Sequence, residues 1–148
     1  MTERHVRGAI INELLLATRY ALEVSNAELR AAGVEPLEYG RLAFIGTLQP
    51  VTRTTLAEAT GERRTTLRDG LKRLIESGYV REVPNPLDGR STLLELTAKG
   101  QRIFDRGLPA FQRALARINE ALGGELDAHE EAVWRVRRAV QQLAAPYD

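Results

Sequence analysis

The 148-residue sequence predicts a mainly α-helical protein with one small antiparallel β-hairpin, an α+β chain in which helices carry most of the core. Three observations predict it. Apolar residues recur at spacings of three and four over most of the chain, the period of a helix with one buried face. Two short stretches, 79–83 and 91–96, are β-prone, and Pro84-Asn85-Pro86-Leu87-Asp88-Gly89-Arg90 between them is dense in turn formers, so they read as a hairpin with a long tip. The third observation is order: helix, short strand, helix, turn, helix, strand, long tip, strand. That is the order of a winged helix-turn-helix, spanning 36–97, with the helical regions 1–35 and 98–148 on either side.

Taken in turn, residues 4–32 read as a long helix. Val6, Ile10, Leu14, Ala17, Ala21 and Val24 make one apolar row, and Ile11, Leu15, Leu22 and Leu29 make a second beside it. One row is enough to pack a helix on its own core, so one is expected to face that core and the other a partner. Gly33 stops the helix. Pro36 opens the next, to about 48, with Leu42, Ile45 and Leu48 as its buried stripe. Val51-Thr52-Arg53 is short and β-prone. Thr52 or Thr54 then caps a brief helix through Leu56, Ala57 and Ala59, which Gly61 breaks in a turn that needs a positive φ. The helix over 62–77 buries Leu67, Leu71 and Leu74 and ends at Gly78.

Beyond the hairpin, Thr97 caps a helix on which Phe104, Leu108, Phe111, Leu115, Ile118 and Leu122 alternate spacings of four and three. This is a heptad seam suited to lengthwise packing on another helix. Pro109 is expected to bend that helix or open its hydrogen bonding. Gly123-Gly124 turns the chain, and Asp127 is expected to cap a last helix with Leu126, Val133, Val136, Val140 and Leu143 on one face. Apolar surface on both terminal regions exceeds what one subunit needs, which predicts a homodimer.

Composition narrows the function classes. Hydrophobic residues are 43% and charged residues 28%, which supports a packed core. Cysteine is absent, so disulfides, thiol redox sensing and cysteine-ligated metals are excluded. No apolar run approaches the ~20 residues that span a bilayer. Met1-Thr2-Glu3-Arg4-His5 does not read as a signal peptide, and the cytoplasm is the expected compartment. An enzyme is not expected. His5 and His129 lack paired acids at ligand spacing, Glu125, Glu130 and Glu131 read as polar helix surface, and no phosphate loop or nucleophile elbow is present. Neither cofactor nor metal is expected.

Net charge is only +1, but its distribution points to nucleic acid. Segment 61–73 sets five basic side chains, Arg63, Arg64, Arg68, Lys72 and Arg73, against Glu62 and Asp69. Stepping 100° per residue from Leu67 puts Thr65, Asp69 and Lys72 opposite the buried side, flanked by Thr66, Arg68 and Arg73. Arg64 falls nearer the edge. Arg63 falls close to the buried side, in a first turn from which it could swing toward phosphate.

Such a helix fits the major groove of double-stranded DNA. Arg64 or Arg68 could take guanine O6 and N7 together, and Asp69 could accept from cytosine N4 or hold an arginine in place. Thr65 and Thr66 suit a phosphate oxygen or a thymine methyl, while Lys72 and Arg73 suit phosphates, which position without specifying. Arg90, at the end of a thin hairpin, could reach a narrow minor groove. The alternative is a winged helix that binds another protein and no DNA.

The chain resembles the MarR family of bacterial transcription regulators over nearly its whole length. The strongest stretch is Leu56-Ala57-Glu58, Gly61, Thr65-Thr66-Leu67, Leu71, Leu74, Gly78-Tyr79-Val80, Asp88-Gly89-Arg90 and Leu96-Thr97-Ala98-Lys99-Gly100. The resemblance implies a homodimeric repressor with a near-palindromic operator and a helical dimerisation domain built from both chain ends. It also implies that Arg90 enters the minor groove with Asp88 helping to fix it. A small aromatic or phenolic effector would sit in a cleft between the dimerisation and DNA-binding parts, with Arg19, Tyr20, Tyr39, Arg41 and Phe44 as candidate lining. Three residues depart from the family pattern. Thr60 and Glu62 stand where apolar residues are usual, and Gly70 replaces one inside the recognition helix, where glycine costs about 1 kcal/mol relative to alanine. All three bear on the rigidity of the reading head.

Overall fold

The computed structural model describes residues 9–144, so His5, Val6 and the start of the first expected helix lie outside the described residues. The elements are α1 (Ile10–Ala31), α2 (Pro36–Leu48), β1 (Val51–Thr52), α3 (Arg53–Thr60), α4 (Arg64–Glu76), β2 (Val80–Pro84), β3 (Thr92–Leu96), α5 (Ala98–Ala121) and α6 (Leu126–Leu143). Local chemistry sets most boundaries. Pro36 occupies the first turn of α2. Of the two threonines before α3, Thr52 is the cap, its Oγ1 accepting from the Thr55 amide at 3.1 Å. Gly61 follows α3 in the left-handed region, with φ 68°, and so makes the tight turn into α4. Thr97 Oγ1 accepts from the Gly100 amide and donates to the Gly78 carbonyl at 2.6 Å, joining the start of α5 to the end of α4.

The hairpin gains a third strand. The sheet is antiparallel in the order β1-β3-β2, with Val51 opposite Leu94, and Val80 opposite Leu96 through to Pro84 opposite Thr92. Val80, Leu94 and Leu96 turn inward and join Leu42, Ile45, Leu56, Leu71 and Leu74 in the core. Leu48, expected in that stripe, is 39% exposed because it sits in the last turn of α2, where the chain leaves for β1. Tyr39, near the start of the same face, is buried instead.

Helix α5 lies against α1 and α2 through its smallest residues. Gly100, Gly107, Ala110 and Ala114 are buried, while Leu108, Phe111 and Leu115 of the heptad seam are exposed. A Cβ at Gly100 would collide with the Tyr79 carbonyl oxygen, and one at Gly107 with the Tyr39 ring. The Leu-Thr-x-x-Gly start of this helix therefore has a steric reason: only glycine lets its first turn meet the backbone that leaves α4. α5 continues through Pro109, which is exposed.

Two expectations for the helical ends need correction. Neither apolar row of α1 packs on the subunit's own core along most of its length. Ile10, Ile11, Leu15 and Leu22 are exposed, and the core reaches α1 only at Leu29, where α5 and the following Val34 lie against it. α6 is not capped by Asp127. Glu125 is its N-cap residue without a side-chain bond, and the Leu126 amide is satisfied across the glycine turn by Asn119 Oδ1 at 3.1 Å. α6 has no buried residue. Glu28 ties α1 to α5 through Arg113 at 3.0 Å and Arg117 at 3.1 Å, and these two guanidiniums hold its carboxyl below the ordinary range. Among the described residues no helix is long and apolar enough to cross a membrane.

Candidate nucleic-acid interface

α3, the Gly61 turn and α4 form a helix-turn-helix whose second helix is sharply two-faced. Leu67, Gly70, Leu71 and Leu74 are buried. Arg64, Thr65, Thr66, Arg68, Asp69, Lys72 and Arg73 are all exposed, as the 100° count places them. Arg63 differs. It is the N-cap residue, with φ −62° and ψ 144°, so it stands exposed before the helix rather than near its buried side. A helical wheel cannot place a residue whose backbone is not helical.

Two cations of this face are lightly held. Arg68 lies 3.6 Å from Asp69, and Lys72 lies 3.8 Å from Glu76 one turn on. Both pairs are highly exposed, and such pairs contribute about 0–1 kcal/mol, so a phosphate or a base edge can replace the carboxylate at small cost. Arg64 and Arg68, with Arg53, Thr54 and Glu58, line a shallow groove of about 320 Å³ between α3 and α4.

The wing tip is a cross-linked turn. Asn85 Oδ1 accepts from the Leu87 amide at 3.0 Å, and Asn85 Nδ2 donates to Ser91 Oγ at 2.9 Å. Asp88 Oδ1 accepts from the backbone amide of Arg90 at 3.0 Å. Asp88 thus holds the backbone at Arg90. The Arg90 side chain is exposed at the tip, beside Leu87, which is 94% exposed. The root of the wing is braced to α3. Arg53 donates to Glu82 Oε1 from Nε at 3.1 Å and from Nη2 at 2.7 Å, and Thr92 donates to the same oxygen. Arg53 is the main cause holding the Glu82 carboxyl below its ordinary range. These contacts join residues far apart in sequence, and no local pattern announces them.

A second concavity, about 650 Å³, lies between α1, α2 and the α3–α4 turn. Leu22, Asn26 and Arg30 come from α1, Leu37, Arg41 and Phe44 from α2, and Thr60 and Glu62 from the turn. Of the five expected lining residues, Arg41 and Phe44 are there. Tyr39 is not: its hydroxyl donates to the Phe104 carbonyl at 3.1 Å, and burial pushes its phenol up to about 12. The two-residue step from Tyr39 to Arg41 turns a helix by about 200°, so one faces the core and the other the cleft. Arg19 and Tyr20 are exposed on α1 and do not line it. The stripe Leu22, Asn26, Arg30, at spacings of four, was the sequence signal for this wall.

Comparison with known proteins fits this geometry. The sequence model of the MarR family matches residues 32–91, from the start of the head through the wing tip. No curated protein matches the sequence. Among solved structures, the chain superposes on the transcriptional regulator SlyA with a TM-score of 0.76 at 20% identity, covering 90% of this chain and 94% of that one. A MarR family regulator from Listeria monocytogenes complexed with 26-mer DNA gives 0.74 at 20% identity, covering 89% of each chain. The M. tuberculosis regulator MOSR in complex with DNA gives 0.74 at 24% identity, covering 90% of this chain and 97% of that one. At these identities the structural likeness is one of fold.

Proposed function

We propose that the protein is a dimeric, sequence-specific DNA-binding transcription regulator of MarR type acting in the cytoplasm, a reading supported by the match of residues 32–91 to the MarR family model and by a fold shared with the regulator SlyA. The observation that carries this reading is the pairing of two exposed basic elements on a braced scaffold. The α4 face presents Arg64, Arg68, Lys72 and Arg73, and the wing presents Arg90. Arg64 and Arg68 read base edges, Thr65 and Thr66 meet phosphate or a thymine methyl, and Lys72, Arg73 and Arg63 engage the backbone. Asp69 accepts from a cytosine or steadies Arg68. Arg90 enters the flanking minor groove. The relatives solved with DNA share this fold.

The cleft between α1 and α2 is the effector site in this reading. Its volume suits a small ligand. Apolar Leu22, Leu37 and Phe44 with the guanidiniums of Arg30 and Arg41 suit an aromatic or phenolic compound. Ligand release of a bound repressor follows if occupancy changes the spacing of the two reading heads.

Selection from a random duplex library at low salt, followed by binding isotherms at several salt concentrations, tests the reading. The expected result is an enriched near-palindrome with half-sites about 10 bp apart, and affinity that falls steeply as salt rises. No enrichment and salt-insensitive binding would assign the chain to the protein-binding winged helices instead.

A further inference from the structure

Two of the three departures from the MarR pattern, Glu62 and Gly70, meet on the Arg41 side chain, and the third, Thr60, fixes the turn that carries Glu62. Arg41 of α2 donates from Nε to Glu62 Oε2 at 2.9 Å and from Nη2 to Oε1 at 2.5 Å, a two-pronged pair with both side chains largely covered. Thr60 Oγ1 accepts from the Glu62 amide at 3.3 Å while donating to the Leu56 carbonyl, so the turn that carries Glu62 is itself fixed. Gly70 is buried in the middle of α4, and a Cβ there would lie 2.6 Å from Arg41 Cζ and Nε. The guanidinium occupies the space that any larger residue would fill. Glycine weakens a helix interior and packs nothing, so its presence here needs a reason. The seat for Arg41 supplies one.

We propose that Arg41, Glu62 and Gly70 form a latch that sets the recognition helix against α2, which makes Arg41 and Glu62 positioning residues for DNA binding that touch no DNA themselves. The proposal rests on the DNA reading of α4. A two-pronged guanidinium–carboxylate pair fixes orientation as well as distance. It acts here at the turn before α4, and the same guanidinium lies against the middle of that helix. Arg41 and Glu62 also line the cleft, so an occupant of the cleft touches the latch directly.

The test uses the full chain and the duplex recovered by selection, with Glu62→Gln, Gly70→Ala and the double variant. Glu62→Gln keeps the shape of the side chain and removes its charge. Near DNA, loss of a negative charge by itself raises affinity, whereas loss of the latch lowers it, so the two accounts differ in sign. The expected result is a loss of about tenfold for each single variant and no further loss for the double, because both remove the same interaction. The slope of affinity against salt should stay at its wild-type value, since no phosphate contact is removed. The melting temperature of Gly70→Ala should not fall, because alanine favours the helix. Tighter or unchanged binding by Glu62→Gln, additive losses, or a changed salt slope would overturn the latch alone. Failure of the wild type to bind any duplex would overturn the DNA reading and the latch with it.

Discussion

At the scale of single residues, the wing divides its work between a backbone anchor and an exposed charge. Asp88 holds the amide of Arg90, and the guanidinium is left at the tip. Three substitutions separate these roles. Arg90→Ala should weaken binding and flatten the salt dependence, because a cation leaves each half-site. Asp88→Asn retains an acceptor for the amide and removes a negative charge near DNA, so it should bind as tightly as wild type or more so. Asp88→Ala removes the acceptor and loosens the turn, costing about 1 kcal/mol, or several-fold in affinity, with the salt slope intact. Isotherms at several salt concentrations on duplexes with A·T or G·C flanks read all three. Equal slope changes for Asp88→Ala and Arg90→Ala would instead assign Asp88 the role of fixing the guanidinium. In the major groove, Arg64→Ala or Arg68→Ala should relax preference at a defined base pair by about 1–3 kcal/mol. The exposed face of α4 was legible in the sequence because a helix turns by a fixed angle per residue. Arg63 and Tyr39 were not, the first because its backbone is not helical, the second because its ring serves the core on the face opposite the cleft.

Elements show where close approach is built in and how it can be broken. Gly100→Ala places a methyl against a backbone carbonyl that cannot move without shifting the exit from α4, so the cost should reach the upper end of the about 1–3 kcal/mol typical of overpacking. Gly70→Ala meets only the end of a flexible side chain and should not destabilise the fold in that way. Urea midpoints of the two variants compare them directly. The same measurement against pH reads the buried phenol. Burial holds Tyr39 protonated up to about 12, above its ordinary value of 10.0, so only the unfolded chain releases that proton between the two. Stability should therefore be indifferent to this group below about pH 10 and fall from there toward 12, and Tyr39→Phe should remove that part of the fall. At the acid end the sign reverses. Glu28 and Glu82 sit below the ordinary 4.5, so the stability they contribute is present above that pH and is lost as pH drops below it. Element boundaries were legible wherever a threonine cap, a proline or a left-handed glycine sets them locally. The cap of α6 was not, because its acceptor is Asn119, on the far side of the glycine turn. The ion pairs Arg41–Glu62 and Arg53–Glu82 escaped for the same reason: tertiary packing brings them together.

For the whole molecule, the exposed apolar surface is the basis for the proposed dimer. Ile11, Leu15 and Leu22 on α1, Phe111 and Leu115 on α5, and Val133, Trp134 and Leu143 on α6 are all exposed in one subunit. The small residues of α5 already use its inner face, so Leu108, Phe111 and Leu115 of the heptad seam stay exposed in the single subunit, whereas Phe104 packs against its core. Apolar surface on this scale marks an association site. In the proposed dimer a second copy would supply the matching helices, and twofold symmetry would then set two copies of α4 toward successive major grooves. Leu115→Lys should dissociate or unfold the dimer by placing a charge in the seam. Leu87→Lys, at the wing tip, should leave it intact. Sedimentation velocity at micromolar concentration distinguishes these outcomes, and a native chain that sediments as a stable monomer would remove the basis for the assembly. The DNA consequence is separate and larger. In a dimer the second head binds as an intramolecular step, so wild type should prefer a two-half-site duplex over a one-half-site duplex by about 10²-fold or more. A folded monomeric Leu115→Lys protein should lose that preference while keeping its affinity for the single half-site, because α4 and the wing that contact the DNA are unchanged.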